Sequence, residues 1–312
     1  MRTRTALGRQ WVAEGVARPA EIARALVVSR QSLYIVPKRP DPPPVGPPPR
    51  QEPPPLPLDW QTCELHPEAL DFETALHVLA RRHPAAGYRK LCSRIRKKGW
   101  PVNRKRVARL LRLWGFTRKR KRPHPKAQGR PFDVTAPNQL WQTDLTAVWC
   151  GEDGWAYFTA VIDCFDRSIL GWCFTRRCRA LDVEAAMAMA WSTAFPYGIE
   201  SIDGEIAVVL RHDNGTQFTA NRYRELAETL GIKLSRTAYR HPDGNAFIER
   251  LYRTLKEECV WPNDFDSFEE ALAAITAWVL DYNTERPHDS LGKDTTPAEA
   301  RAAALSTHNL AA

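Results

Sequence analysis

The chain has 312 residues, of which 43% are hydrophobic, so it is long enough to bury a sizeable core and to form more than one domain. Its longest uninterrupted apolar run, residues 185–191, is much shorter than the roughly 20 residues that cross a bilayer, and its N-terminus lacks the apolar stretch of a signal peptide. The sequence therefore argues against membrane insertion and export.

The seven cysteines fit reduced thiols better than a disulfide framework, because their number is odd and none shows CxxC spacing. A zinc site made of Cys63, His77, His83 and Cys92 is conceivable, but their order and spacing match no zinc finger. We therefore predict no zinc, and a cytoplasm is the expected compartment.

The positive charge is concentrated in one segment. Residues 81–130 contain 20 Lys or Arg and no Asp or Glu, so the net charge of +9 leaves −11 for the rest of the chain. Such a segment is typical of proteins that neutralise phosphates, since each neutralised phosphate releases counterions and strengthens binding. A solvated charged face is the alternative. The cations in it that are expected to contact DNA are Arg104, Lys105, Arg106, Arg118, Lys119, Arg120, Lys121 and Arg122.

Two helical units precede the strand-rich part of the chain. The segment RPAEIARALVVSRQSLY, residues 18–34, predicts a helix-turn-helix, with an ordinary helical hairpin as the alternative. Twelve of the 21 residues in 37–57 are proline, which predicts a stiff spacer and not a packed core. Apolar residues at helical spacing then predict a second, basic helical DNA-binding unit. Its helices are expected within residues 67–82, 87–98 and 103–114.

Beyond Pro131 the pattern changes to short strands. Three runs, at 138–150, 154–165 and 168–175, are joined by short turns and should pair antiparallel. These strands are followed by a helix, a strand that ends at RHD, a second helix, a short strand and a third helix, which contains AFIERLYRTLKEE. This order predicts an α/β ribonuclease H-like fold, in which a mixed five-stranded sheet is flanked by helices. In that topology the end of the fourth strand lies beside the middle of the first.

Three acids lie on elements that this predicted topology brings together. Asp144 lies within the first strand, in WQTDLT, Asp213 ends the fourth strand, and Glu249 lies on the late helix, with 35 residues between Asp213 and Glu249. An acid in an otherwise apolar strand would be an unpaired buried charge, whereas Asp213 has the alternative role of a turn residue. Open α/β sheets bind ligands in crevices outside strand ends, which is where these acids are expected.

These motifs, with Asp, Asp and Glu in this order and spacing, resemble the DDE catalytic core of retroviral-type integrases and insertion-sequence transposases. The segment YNTERPHDSLGKDTTPAEA, residues 282–300, is similar to the closing signature of the IS-three group of bacterial transposases, specifically the product of their second reading frame. The basic segment HPAAGYRKLCSRIRKKG, which begins at His83, is similar to the helix-turn-helix that precedes the core in that group.

The resemblance implies a DNA transposase, which cleaves DNA at the ends of its element and joins the exposed 3′-hydroxyl to a second phosphodiester. It implies that Asp144, Asp213 and Glu249 are catalytic and bind two Mg²⁺ ions, with Mn²⁺ as a substitute, and carboxylates are the hard oxygen ligands that Mg²⁺ requires. The implied partners are double-stranded DNA (terminal inverted repeats and target), further copies of this chain on that DNA and an upstream-frame protein. The implied location is the bacterial cytoplasm, at the nucleoid.

Helical periodicity adds two cations beside the third acid. Arg253 and Lys256 lie four and seven residues after Glu249 and return to its face within about 40° and 20°, at about 100° per residue. Both are expected to contact DNA, and the resemblance implies that Lys256 does so beside the scissile phosphate. A surface lysine without a partner is the alternative.

Other acids near these motifs are expected to have no catalytic role. Asp163 and Asp166 flank a predicted hairpin. Glu257 and Glu258 lie two turns beyond Glu249 and are predicted to be solvated.

The predicted organisation comprises six segments. They are a helix-turn-helix at 1–36, a Pro-rich linker at 37–58, a basic helix-turn-helix domain at 59–117, a basic connector at 118–131, the catalytic core at 132–300 and a C-terminal tail at 301–312.

Two alternatives to a transposase stay open. A catalytically silent DNA-binding regulator, or relic, would keep the basic helices without needing all three acids. A nuclease or junction resolvase of the same fold would use the acids but not the YNTERPHDSL segment.

Overall fold

The computed structural model describes most of the chain, in eight stretches. These are residues 2–28, 33, 50–116, 134–197, 208–213, 215–236, 245–292 and 294–309. The chain divides into two compact units, Met1–Pro49 and Arg50–Ala312. No helix within the described stretches is long and apolar enough to cross a membrane. The seven cysteines all lie within them and are free thiols.

The first unit contains two described helices, α1 (Arg2–Ala13) and α2 (Pro19–Leu26). Proline is favourable at the start of α2, because its missing N–H needs no partner in the first turn. The helix ends at Leu26, and the next residue, Val27, has a left-handed φ of 53°. A turn follows at Val27, where the predicted turn begins, whereas residues 29–32, which contain the end of that turn and the predicted start of the second helix, lie outside the described stretches.

Three helices open the second unit. They are α3 (Phe72–Arg82), α4 (Tyr88–Lys97) and α5 (Arg104–Leu113), within the three ranges predicted for them. Their apolar faces meet in one core, in which Leu76, Ile95 and Val107 are fully buried. The Asn103 side chain accepts a hydrogen bond from the Lys105 N–H (2.9 Å), which caps α5.

The end of the predicted linker packs against these helices. His77 Nδ1 donates a hydrogen bond to the Pro54 carbonyl oxygen (2.7 Å), and Leu56 packs on the helical core. The Gln51 N–H donates to the Leu113 carbonyl oxygen (3.0 Å). Residues 50–57 therefore belong to the packed unit, which differs from the predicted spacer. Proline-rich backbone can do this, because its rings are apolar and its carbonyl groups still accept hydrogen bonds.

A five-stranded sheet forms the centre of the second unit. Its strands are β1 (Leu140–Trp149), β2 (Trp155–Asp163), β3 (Ile169–Thr175), β4 (Val209–His212) and β5 (Lys233–Arg236). Their order is β3-β2-β1-β4-β5. The pairs β1·β2 and β2·β3 are antiparallel, and β1·β4 and β4·β5 are parallel. The mixed five-stranded sheet is therefore confirmed.

Helices cover both faces of the sheet. They are α6 (Ala180–Ala194), α7 (Asn221–Thr229), α8 (Ala246–Leu255), α9 (Phe268–Thr284) and α10 (Pro297–Asn309). Because side chains alternate along a strand, Ala160 of β2 packs with α8 and α9, whereas its neighbour Val161 packs with α6 and α7. Gly171 of β3 admits α6 closely, since a Cβ there would collide with the Ala186 carbonyl oxygen.

The last three elements extend the predicted core. A π-helical turn, Lys256–Val260, continues α8, and α9 follows it. The final helix, α10, crosses the predicted boundary at residue 300, and Arg301 within it contacts the sheet through Asp163 and Asp166. Residues 301–309 therefore belong to a helix that begins within the predicted core, which differs from the predicted tail.

Candidate active site

Asp144 lies in the middle of β1, on the sheet face that α8 covers. Its register partner on β2 is Ala160, which packs with α8. The carboxylate is half-buried, and its Oδ1 accepts a hydrogen bond from the Leu145 N–H (2.7 Å). The Tyr252 hydroxyl, on α8, donates to the Asp144 backbone carbonyl oxygen. The strand and the helix together fix this residue.

Asp213 follows the last residue of β4 directly. Gln142 of β1 pairs with Arg211 of β4, so Asp213, two residues further on, is level with Asp144. Its Oδ1 accepts a hydrogen bond from the Gly215 N–H (2.8 Å), the pattern of an Asx turn. The second acid therefore also has a turn-forming role, and its placement beside the middle of β1 matches the predicted topology.

The backbone at this position is held by the preceding histidine. His212 Nδ1 donates a hydrogen bond to the Asp213 carbonyl oxygen (2.6 Å), and its ring stacks on Phe218 at 4.9 Å. Burial lowers the pKa of His212. A buried imidazole that is kept neutral fixes the turn without placing a positive charge beside the acid.

Glu249 lies in the first turns of α8 and is exposed. The pKa of the Asp144 carboxyl is raised to about 6, first by burial and also by the negative charges of Asp213 and Glu249, while the hydrogen bond from Leu145 acts to lower it. Both charged groups that shift this pKa are acids. The three predicted residues therefore share one region of negative potential.

The described residues do not form a closed metal-binding cluster. No group of three His, Cys, Asp or Glu side chains within these stretches converges closely enough to hold an ion. The donor chemistry nevertheless fits a divalent cation, because carboxylate oxygens are hard ligands and the described charged groups that shift the pKa of Asp144 are both acids.

The two predicted cations lie further along the same helix. Arg253 is exposed, and Lys256 is half-buried at the first position of the π-helical turn. Lys256 keeps right-handed helical backbone angles (φ −62°, ψ −44°), so the periodicity argument holds up to this residue.

Glu258 is not solvated, and that prediction is wrong. Arg286 binds its carboxylate through Nε (2.7 Å) and Nη2 (2.9 Å), and Lys90 Nζ lies 3.1 Å from Oε1. Although burial acts to raise it, these partners lower the pKa of Glu258 to about 2. The π-helical turn and the partners from distant parts of the chain explain the difference, because neither follows from helical periodicity.

Asp163 and Asp166 also have a role that the sequence did not reveal. Both are fully buried, and Arg301 Nη1 binds them at 3.1 and 2.8 Å. Arg301 Nη2 donates to Asn138 Oδ1 (2.7 Å). These acids therefore attach α10 to the sheet.

The basic segment is partly neutralised by the acidic core. Six of its described cations, mostly on α4, form ion pairs with acids of the core, and we call this set the α4 contact. The pairs are Lys90–Glu258 (3.1 Å), Arg94–Asp281 (2.5 Å), Arg96–Asp294 (3.6 Å), Lys97–Glu299 (2.6 Å), Lys98–Glu285 (3.5 Å) and Arg104–Asp294 (3.7 Å). Arg94 is buried, and its pair with Asp281 is bidentate.

Two of the predicted DNA-contacting cations thus have partners within the chain. Arg104 belongs to the α4 contact, and Arg106 pairs with Glu73 (3.5 Å). Lys105 is exposed and makes no ion pair with a described acid. Arg118, Lys119, Arg120, Lys121 and Arg122 lie outside the described stretches.

Comparison with known protein families gives three matches. Two families described as Integrase core domain match residues 134–242 and 230–297, which contain the sheet and the three acids. A family described as HTH-like domain matches residues 68–124, which contain α3 to α5.

Two similar proteins are transposases of bacterial insertion sequences. The transposase for insertion sequence element IS904 of Lactococcus lactis subsp. lactis (strain IL1403) is 30% identical over 207 residues, 62% of this chain and 78% of the relative. Transposase InsF for insertion sequence IS3A of Escherichia coli (strain K12) is 28% identical over 232 residues, 70% of this chain and 77% of the relative. The crystal structure of the catalytic core domain of BIV integrase is 20% identical, with a TM-score of 0.39, and the match covers 56% of this chain and 98% of that one. Because the IS904 transposase is 30% identical to this chain and is covered over 78% of its length, the chain belongs to the IS3 family of insertion-sequence transposases.

Proposed function

We propose that Asp144, Asp213 and Glu249 are the catalytic carboxylates of DNA cleavage and strand transfer, and that they bind two Mg²⁺ ions, for which Mn²⁺ can substitute. The supporting observation is electrostatic: Asp213 and Glu249 both raise the pKa of the half-buried Asp144 carboxylate. Acids that repel one another reduce stability unless a cation lies between them. The arrangement therefore favours binding of a divalent cation.

Buried acids elsewhere in the core are matched by cations of the chain itself. Arg301 binds Asp163 and Asp166, and Arg286 binds Glu258. By contrast, the charged groups that shift the pKa of the acid on β1 are both negative. This difference supports a site for an external cation, because a purely structural acid would be expected to have a partner in the chain.

The chain contributes the position of each carboxylate. The sheet holds Asp144, the turn bonded to Gly215 holds Asp213, and α8 carries Glu249. Divalent cations bound by such carboxylates activate the attacking oxygen and stabilise the leaving oxygen of a phosphodiester. In the first reaction water displaces the 3′-oxygen at the element's end. In the second, the exposed 3′-hydroxyl displaces a 3′-oxygen in the target strand.

The proposed DNA partners are the element's terminal repeats and the target duplex. Exposed Lys105, Arg109 and Arg112 follow one another at four and three residues along α5, so they form one stripe on the helix. Within the described stretches none of these three makes an ion pair with an acid. Arg253 and Lys256 are proposed to contact DNA next to the carboxylates.

The test incubates the full chain with duplex DNA that carries the element's ends, in Mg²⁺. Asp213→Asn keeps the size and the turn-forming capacity of the side chain but removes its charge. We expect it to abolish cleavage while melting and end binding persist. A silent DNA-binding regulator predicts no cleavage by the parent either, and a nuclease predicts cleavage without joining.

A further inference from the structure

The helix that carries Glu249 is capped by a residue from a distant strand. The side chain of Asn245, at the residue before α8, makes no capping hydrogen bond. Instead, Gln142 Oε1 accepts hydrogen bonds from the N–H groups of Phe247 and Ile248, both at 3.1 Å. These N–H groups would otherwise have no partner in the first helical turn. A strand residue more than 100 positions away therefore caps the helix.

The position of this cap relates it to the proposed carboxylates. Gln142 is completely buried on β1 and lies two residues before Asp144, on the same face of the strand. Glu249 directly follows Ile248, the second residue that Gln142 binds. The cap therefore joins the strand and the helix immediately beside the two acids that they carry.

A second connection lies on the other side of Glu249. Tyr252, one helical turn later, donates a hydrogen bond from its hydroxyl to the Asp144 carbonyl oxygen. The same hydroxyl accepts a hydrogen bond from the Ala160 N–H (3.3 Å). Ala160 is the register partner of Asp144. The tyrosine thus bridges β1 and β2 at the level of the acid.

We propose that Gln142 and Tyr252 are positioning residues, which set the separation between the Asp144 and Glu249 carboxylates by fixing α8 to β1 on both sides of Glu249. This inference rests on the proposed metal-binding role of the acids. A helix fixed at two points cannot slide or rotate relative to the strand, so the backbone positions of Asp144 and Glu249 stay fixed and only their side chains need to turn towards a cation.

The test removes each connection with little change in side-chain volume. Gln142→Met removes the acceptor, and Tyr252→Phe removes only the hydroxyl. Loss of the partners around metal ligands typically weakens metal affinity or activity by 10–100-fold. We therefore expect each variant to need at least about tenfold more Mg²⁺ than the parent, both for half-maximal cleavage of end DNA and for the Mg²⁺-induced rise in Tm of the DNA-free protein.

Two control variants match the Gln142 and Tyr252 variants in burial and in the kind of group removed. Thr143→Val lies on the same strand, and Tyr223→Phe removes another buried tyrosine hydroxyl. Neither hydroxyl has a hydrogen-bond partner among the described residues. Both controls should keep the Mg²⁺ dependence of the parent.

A conservative variant separates positioning from folding. Gln142→Glu retains an acceptor for both N–H groups, and a negative charge is favourable at a helix N-terminus. It should restore the Mg²⁺ dependence that Gln142→Met loses, and together with Tyr252→Phe it keeps the test informative if the methionine variant does not fold.

The outcomes distinguish failure of the positioning role from failure of the proposed carboxylate site. Identical Mg²⁺ dependence of Tyr252→Phe, Gln142→Met and the two controls overturns the positioning role, even when Asp213→Asn is inactive. Full cleavage by Asp213→Asn overturns the proposed carboxylate site itself. A requirement for more Mg²⁺ in the two positioning variants alone supports the proposal.

Discussion

At the residue scale, Asp144 links stability to pH. Burial and the two neighbouring acids raise its pKa from an ordinary value of 3.8 to about 6. The folded protein therefore holds this proton more tightly than the unfolded chain, and stability falls as pH rises from about 4 to 6. At 1.36 kcal/mol per pH unit, the loss is at most about 3 kcal/mol.

Asp144→Asn should remove this loss, because the amide does not ionise. Without Mg²⁺, the variant should be more stable than the parent at pH 7, by at most about 3 kcal/mol, and should match it near pH 4. Added Mg²⁺ should stabilise the parent and reduce the difference. Urea unfolding at several pH values measures this. A constant difference between the two proteins from pH 4 to pH 7 would contradict the assigned shift.

A substitution at Lys256 tests whether this residue contacts DNA. Lys256→Ala should weaken end binding and strand transfer, while Mg²⁺ binding persists, because an ammonium group cannot ligate Mg²⁺. The matched control is Lys233→Ala, which removes an exposed lysine from the edge strand β5. Lys256 has no positioning role on DNA if the two variants transfer strands equally across a DNA titration.

At the element scale, α4 and α5 differ in what their cations contact. Four of the five cations of α4 pair with acids of the core, whereas Lys105, Arg109 and Arg112 of α5 face solvent. Each α5 cation that binds a phosphate should contribute about 0.9 to the slope of log K against log salt concentration.

Replacement of Lys105, Arg109 and Arg112 by alanine should therefore reduce that slope by about 0.9 for each phosphate that is no longer neutralised. Lys97→Ala and Lys98→Ala serve as controls, since these lysines pair with Glu299 and Glu285. They should leave the slope nearly unchanged. The reverse ranking would show that DNA displaces the core from α4 and that the α4 contact opens on binding.

The π-helical turn gives a stability prediction. Glu258→Gln leaves Lys90 and Arg286 without their shared counter-ion in a mostly buried site, and breaking such a pair costs about 3–5 kcal/mol. The folded pKa of Glu258, about 2, lies below its ordinary value of 4.5, so its contribution is complete above pH 4.5 and is lost as pH falls towards 2.

Urea unfolding of Glu258→Gln and the parent at pH 7 and pH 3 measures both effects. The difference in unfolding free energy should be large at pH 7 and smaller at pH 3. Glu225→Gln, on the exposed surface of α7, should change stability by less than about 1 kcal/mol at either pH. Equal stabilities of the parent and Glu258→Gln at pH 7 would show that the ion pairs of Glu258 do not stabilise the fold.

At the scale of the whole molecule, local patterns predicted the architecture. Alternating apolar residues and short turns indicated β1 to β3, and the parallel pairing of β4 with β1 placed Asp213 level with Asp144 as expected. These features depend on residues close together in sequence and on a few topological rules, so they can be read from one sequence.

Pairing between distant charges could not be predicted in this way. Lys90 and Glu258 are 168 residues apart, and Lys97 and Glu299 are 202 apart. The composition showed a basic segment and an acidic remainder, but not that part of one neutralises the other. The cap that Gln142 provides for α8 was also missed, because a polar residue in a strand gives no local signal of a helix elsewhere.

The central claim is that three carboxylates act as one unit, and the rate of strand cleavage in Mg²⁺ tests it most directly. The proteins to compare are Asp144→Asn, Asp213→Asn, Glu249→Gln and the triple variant, on DNA that carries the element's ends. Each single change should reduce the rate nearly as much as all three together, with folding and end binding retained. Losses that multiply from single to triple variant, or near-parental cleavage by any well-folded single variant, would contradict the claim.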